Sequence, residues 1–341
     1  IAYIKQWMKN AMVLNQSPKD CQKIRKLYMY RLGNIPSPTD NLSDIADYIE
    51  IKCLFSDSSS ISRRGIFSSM SMESDEQNFD GVEDDEDRLN NKLDDVLQEM
   101  LRRKSECAGH YPFKIDGCLV SVDDTCNETI KTYYTYFLLA TRSNMREDRL
   151  FDTPTKDASL LFEKVSEKIA KNYFGENSKT LLFGTSAGSN FKSKVNHLIK
   201  ILNLRGEAID PIGSTGRQND GHLDLVVWTP FIDNRDSMLI GFGQCKTGTS
   251  WEEHLTELNP NNFFKNYVGD SPAHPPVRLF FLTDSISIVN EKWGERASAA
   301  GILFDRRRIM EFLPIEDMPN ELTNDIKKWM NFIKDKYHLA N

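Results

Sequence analysis

Two apolar runs, HLDLVVW at 222–228 and MLIGFGQCK at 238–246, flank the polar stretch TPFIDNRDS and limit the fold more than any other feature of this 341-residue chain. Each run has the length of a strand, along which successive side chains point to opposite faces. If the runs pair as a hairpin with Trp228 facing Ile240, the same register carries on to Asp224 facing Gln244. Alternation then puts Gln244 and Lys246 on one face of the second strand, with Cys245 turned away. One carboxylate, one amide oxygen and one ammonium group would meet at a single spot on a sheet.

The surroundings of this pair alternate helix with strand. Helical spacing at Ala158–Tyr173 leads to a short strand at Thr180–Phe183 and a helix at Asn190–Leu202. After the hairpin come a helix at Glu252–Tyr267, a strand at Val277–Thr283, a helix at Asn290–Ala299, a strand at Ile302–Phe304 and a terminal helix in LTNDIKKWMNFIKDKYH. That order predicts an α/β domain with a mixed central sheet flanked by helices, assigned to residues 149–341. Residues 1–148 form an N-terminal, mainly helical domain for binding or scaffolding, and NMREDRLFDTPT is the junction. Within it, SDIADYIEIKCLF and DRLNNKLDDVLQEMLRRKSECAG carry helical periods. SDSSSISRRGIFSSM reads as a turn and short helix, GHYPFKIDGCLVSV as a turn and strand, and TIKTYYTYFLLATRS as a buried helix or strand. The series is compatible with a winged-helix-like module, and periodicity alone does not separate that from a plain helical scaffold. The stretch at about 68–88, rich in Ser and then in acids, has too little apolar surface to offset its ordering entropy and is expected to be a disordered insertion.

Composition adds limits. A hydrophobic fraction of 39% with 10% aromatics is enough for a sizeable core. The formal net charge of −7 excludes a basic coat over the whole surface, yet the acids crowd into ESDEQNFDGVEDDED at Glu73–Asp87, so a local basic groove remains compatible with it. Six cysteines, at 21, 53, 107, 118, 126 and 245, form no C-x-x-C pair and read as reduced thiols of a cytoplasmic protein. Cys107, His110, Cys118 and Cys126 do not match a compact zinc knuckle. No apolar run reaches the ~18 residues of a membrane span. The chain opens at IAYIKQW without a Met, as a processed or truncated start would.

Hydrolysis of a phosphodiester needs a divalent cation held by oxygen ligands and a cationic side chain that orients water and stabilises the pentavalent charge. Asp224 supplies the anionic ligand, the Gln244 side-chain oxygen and the Cys245 carbonyl supply neutral oxygens, and Lys246 supplies the cationic group. A further acid is expected from the helix in SLLFEKVSEKIAKNYFG. Glu163 is preferred over Glu167 there because it lies among Leu160, Leu161, Phe162 and Val165, where an acid without a role would be costly. Arg306, Arg307 and Arg308 follow a strand and read as a phosphate clamp or as a solvated charge run. Asp220 reads as a second ligand or an Asp-Gly turn, His222 as a neighbour of Asp224 or a structural histidine, and Trp251 as a base-stacking or a packed aromatic.

DGHLDLVVW followed by GFGQCKTGTSW resembles the PD-(D/E)XK restriction-endonuclease-like superfamily, in the branch where Gln replaces the third-position acid, as in Mrr-type and anti-phage defence nucleases. The likeness covers roughly Asp157 to Phe312. It implies a metal-dependent endonuclease that cuts DNA with Mg²⁺ or Mn²⁺, acting in the cytoplasm in bacterial defence, as a homo-oligomer and with a partner protein of such a system. It implies that Asp224 binds metal, Gln244 stands at the variable acid, Lys246 is the lysine and Glu163 the first-helix acid. Gln244 departs from the pattern by one negative charge.

Two rival readings stand beside it. The same fold could bind nucleic acid or a partner without cutting. Alternatively LLFGTSAGSNF, with its strand, Gly-x-Ser-x-Gly turn and helix, resembles the nucleophile elbow of patatin-like lipases and would make Ser186 an acyl-hydrolase nucleophile. No glycine-rich loop upstream offers a second oxyanion donor. His197, His222 and His254 sit in no recognisable pattern, so Ser186 or Ser189 reads more simply as a helix cap.

Overall fold

The computed structural model describes residues 31–71, 82–143, 157–184, 191–209, 221–233, 235–287 and 292–339. Its N-terminal part runs helix, strand, helix, helix, strand, strand. These are α1 (Leu42–Phe55), β1 (Ser60–Ser62), α2 (Arg63–Ser71), α3 (Val82–Glu106), β2 (Phe113–Asp116) and β3 (Leu119–Val122). The three strands make an antiparallel sheet in the order β1-β3-β2. Asn41 starts α1 by accepting the Asp44 N–H with its side chain. Gly117 turns β2 into β3 at φ +55°, a value that favours glycine.

Two expectations change here. β1 was not legible in the sequence, because SIS is three residues long and becomes a strand only by pairing with β3. The segment expected to be disordered at 68–88 is narrower, since α2 reaches Ser71 and α3 starts at Val82, and residues 72–81 lie outside the described residues. Leu89, Leu93, Val96 and Met100 recur at helical spacing and are buried, and the helix they anchor runs back into the acidic stretch.

The open choice at TIKTYYTYFLLATRS resolves as a helix, α4 (Glu128–Arg142), capped by Asn127. It is enclosed over its C-terminal two thirds, where every residue from Thr132 to Arg142 is buried.

The second part comprises α5 (Ala158–Phe174), β4 (Lys179–Leu182), α6 (Phe191–Ile201), β5 (Leu225–Thr229) and β6 (Leu239–Lys246). A 3₁₀ turn (Trp251–His254), α7 (Pro260–Tyr267), β7 (Val277–Leu282), α8 (Trp293–Ala300), β8 (Ile302–Phe304), α9 (Arg306–Glu311) and α10 (Asn320–Lys336) complete it. The five strands lie in chain order in one mixed sheet. β5 is antiparallel to β4 and β6, while β6, β7 and β8 are parallel. Trp228 pairs with Ile240, the register expected from the sequence. The helix expected at Glu252–Tyr267 is broken, because Pro260 cannot donate a backbone hydrogen bond mid-helix and instead opens α7 behind the Asn259 cap. The chain is thus mixed α/β, and among the described residues no helix is long and apolar enough to cross a membrane.

Each face of the large sheet is covered. Leu225, Val227, Leu279 and Phe281 pack with Leu161, Phe162, Val165 and Ile169 of α5. Val226, Trp228, Ile240 and Phe242 pack on the other face with Val195 and Leu198 of α6 and Phe263 and Phe264 of α7. Gly241 and Gly243 of β6 make the α5 side possible. A Cβ on Gly241 would lie 2.7 Å from Phe174 and 2.8 Å from Val227, so glycine lets helix and sheet meet here. The α5-side cluster continues without a break into α1, α3 and α4, so the N-terminal helices and the sheet share one buried core.

Candidate active site

Asp224 stands just before β5, where β6 and the residues following β4 clamp its main chain. Its N–H donates to the Gly243 carbonyl at 2.9 Å, and its own carbonyl accepts the Phe183 and Gly184 N–H groups at 2.7 and 3.1 Å. Its carboxylate Oδ2 accepts the Cys245 N–H at 2.6 Å. The strand pairing ends at Leu225–Gly243, and because the Asp224 N–H bonds the Gly243 carbonyl, Asp224 sits beside Gly243, one residue short of the expected facing with Gln244. The structure therefore brings Asp224, Gln244, Cys245 and Lys246 to one end of the β5–β6 pair.

Gln244 and Lys246 share the face that carries Ile240 and Phe242. Gln244 is 1% exposed, and its Nε2 donates to Glu257 Oε2 at 2.9 Å. Its Oε1 is buried and finds no hydrogen-bond partner among the described residues. The Lys246 ammonium lies 3.2 Å from the same Glu257 Oε2. His254 Nδ1 is 2.7 Å from Glu257 Oε1, and His222 Nδ1 is 3.3 Å from Oε2. Partial burial raises the Glu257 carboxyl but is outweighed by the His254 hydrogen bond and the Lys246 charge, which bring it down to about 2.

Glu257 was not singled out in the sequence. It lies between Leu255 and Leu258 in a segment read as one helix, and no spacing rule ties it to residues eleven or more positions away. The break at Asn259-Pro260 was the available signal that this segment is a shaped loop.

Glu163 is buried on α5, 9% exposed, and approaches from the other face of the sheet. Its carboxylate lies so close to Gly184 that a Cβ there would come within 2.5 Å of Oε2. Gly184 is the residue bonded to the Asp224 carbonyl, so Glu163 reaches the same end of the sheet from behind. Desolvation beneath α5 pushes the Cys245 thiol well above its ordinary value, with the Asp224 and Glu163 charges adding to it. Glu167 is instead bound by Thr180 of β4 at 2.8 Å.

The arginine run requires a correction. Arg306 is fully buried, paired with Asp47 of α1 through two hydrogen bonds of 2.8 and 3.0 Å. Arg307 is buried as well, bound to Asp305 at 2.6 Å and to Glu106. Neither can clamp a phosphate, because their donors are already taken inside the core. Arg308 alone is exposed, stacked over the Trp293 ring at 4.6 Å. The sequence shows three adjacent charges; it cannot show that the short helix α9 turns two of them inward.

Trp251 is buried, and its Nε1 donates to Asp284 at 3.0 Å. His110 meets the Met310 carbonyl at 2.6 Å, and Cys107 is a core thiol. Ser186, Ser189, Asp220 and the NMREDRLFDTPT junction lie outside the described residues.

A metal ion would find oxygen donors here: the Asp224 carboxylate and the otherwise unpartnered Gln244 Oε1. That donor set suits a hard cation that keeps most of its water, as Mg²⁺ does. Among the described residues no three His, Cys, Asp or Glu side chains lie close enough together to hold a metal by themselves. Comparison with protein-family models, with curated proteins and with solved structures finds no match for this chain.

Proposed function

We propose that the chain is a metal-dependent endonuclease that hydrolyses DNA phosphodiester bonds, on a fold of the PD-(D/E)XK restriction-endonuclease-like type, acting in the cytoplasm against foreign DNA. The observation that carries this reading is that the Asp224 carboxylate, bonded to the Cys245 N–H, stands at the strand end that also carries Gln244 and Lys246, with one buried amide oxygen left unpartnered. An orphaned buried acceptor is costly, and a cation beside it removes the cost.

In this reading Asp224 and Gln244 Oε1 hold the cation, which supplies charge neutralisation for the phosphoryl group. Lys246 orients the attacking water and stabilises the charge that develops on the non-bridging oxygens. Glu163 adds negative charge from behind Asp224. The β1-β3-β2 sheet with α1, α2 and α3 supports a winged-helix-like reading of the N-terminal part, which would dock DNA or a partner protein.

A plasmid-nicking assay with Mg²⁺ or Mn²⁺, against an EDTA control and the Lys246→Ala protein, tests the proposal. Cutting by the wild type alone supports it; no cutting under any metal condition sinks it. The second reading, a nuclease-like module that binds without cutting, is favoured by one observation. Lys246 and Gln244 Nε2 are both engaged by Glu257 rather than open to a substrate. That reading expects DNA retention in a gel shift with no metal-dependent nicking.

A further inference from the structure

Glu257 meets Gln244, Lys246, His254 and His222, and nothing in the sequence pattern assigned it a task. Its backbone is pinned on both sides. Leu255 is buried with Phe280, Leu282 and Leu303, and Leu258 is buried with Phe242 and Phe263 on a separate cluster. Arg278 of β7 further donates to the Leu255 carbonyl. The carboxylate is therefore presented to Gln244 and Lys246 by a fixed loop.

The two ends of a glutamine amide have nearly the same shape and opposite hydrogen-bonding character. Which end faces which neighbour is decided by those neighbours. With Glu257 Oε2 at 2.9 Å, the Gln244 amide can present only its Nε2 there, because the reverse orientation would set two acceptors against each other. Oε1 is thereby the end left buried and unpartnered. The same Oε2 anchors Lys246 at 3.2 Å, so one oxygen sets both residues.

We propose that Glu257 is the carboxylate this site uses in place of an acid at position 244: a positioning residue that turns Gln244 Oε1 toward a divalent cation and holds Lys246 beside it. The inference rests on the nuclease reading and deepens it. A glutamine ligand is neutral, so its value to a cation depends on presenting oxygen rather than nitrogen. Glu257 fixes that choice and returns the negative charge that Gln244 lacks. His254 and His222 face Glu257 from the 3₁₀ turn and the β5 approach and hold its two oxygens in place.

The test uses the full chain with Mn²⁺ as probe, in wild type, Glu257→Ala, Glu257→Gln and Asp224→Ala, each checked for folding by its thermal transition. In the metal-free protein selectively labelled with ¹⁵N-glutamine, the Gln244 side-chain amide signal, assigned by its absence in Gln244→Glu, should shift in Glu257→Ala. Mn²⁺ affinity measured by calorimetry should fall about 10–100-fold in Glu257→Ala, the range expected when a residue that orients a metal ligand is lost. Glu257→Gln, whose amide oxygen still accepts the Gln244 N–H, should keep more of that affinity than Glu257→Ala while losing cleavage. Unchanged Gln244 amide signals, or wild-type Mn²⁺ affinity in folded Glu257→Ala, overturn the role given to Glu257 and leave the nuclease reading standing. Absence of Mn²⁺ binding by the wild type overturns the nuclease reading itself, and with it the cation half of this proposal.

Discussion

Arg306 of α9 and Asp47 of α1, 259 positions apart, form a two-pronged ion pair of 2.8 and 3.0 Å in which neither side chain is exposed. Arg103 and Arg142 reach the same carboxylate, each at 2.7 Å. Burial, which raises a carboxyl, is outweighed at Asp47 by Arg142, Arg306 and Arg103, so Asp47 stays ionised far below the usual carboxylate range. Arg306 Nε also donates to the Thr283 carbonyl at 2.9 Å, and the Thr283 N–H points to the Lys246 carbonyl at 3.4 Å. The N-terminal helices thereby hold the strand end that carries the candidate site.

Removing one partner of such a pair leaves the other charges buried and uncompensated. Arg306→Ala is expected to cost about 3–5 kcal/mol of stability. Arg308→Ala, at an exposed position, should stay within about 0.5 kcal/mol and affect DNA retention instead. Urea midpoints of the two variants decide the matter, and equal midpoints would show that the buried pair does not stabilise the fold.

Lys246→Ala and Asp224→Ala should each abolish metal-dependent nicking, the first through kcat with DNA binding kept, the second through lost metal binding. Circular dichroism should show both folded. Nicking at the wild-type rate by the Lys246 variant would remove the residue from the chemistry.

Gln244→Glu sets a second carboxylate against Glu257 Oε2, where the amide N–H now donates at 2.9 Å. The expected result is a lower Tm in EDTA than the wild type shows, and a larger rise in Tm on adding Mn²⁺, because a bound cation relieves the repulsion. A variant as stable as wild type in EDTA contradicts the close Gln244–Glu257 contact.

Gly241→Ala inserts a methyl group 2.7 Å from Phe174 and 2.8 Å from Val227. Overpacking of this kind costs about 1–3 kcal/mol, since strand and helix must separate. A thermal transition unchanged from the wild type would show that α5 does not pack as closely on β6 as described.

The Glu257 carboxyl is lowered in the folded chain to about 2, so its contribution to stability is present above the ordinary carboxylate range and is lost as pH falls toward 2. The Tm difference between wild type and Glu257→Gln should shrink as the pH is taken from about 4.5 down toward 2. A difference that grows on acidification would reverse the sign and contradict the ion pairs drawn around Glu257.

Much of the sheet was legible in the sequence because its determinants are local. Period-two alternation in HLDLVVW and MLIGFGQCK specifies which residues share a face, and the Trp228–Ile240 register supposed for the hairpin is the one observed. That register carries as far as Leu225–Gly243; the Asp224 N–H then bonds Gly243 instead of continuing it to Gln244. Other features depend on neighbours that are distant in sequence. β1 exists only because β3 pairs with it, and the Asn259-Pro260 break turned an expected helix into the loop that delivers Glu257. Arg306 and Arg307 read as surface charges until α1 and α3 bring Asp47 and Glu106 against them. Strand alternation is written residue by residue along the chain, whereas the burial of a charge depends on partners that only the tertiary fold brings within hydrogen-bonding distance.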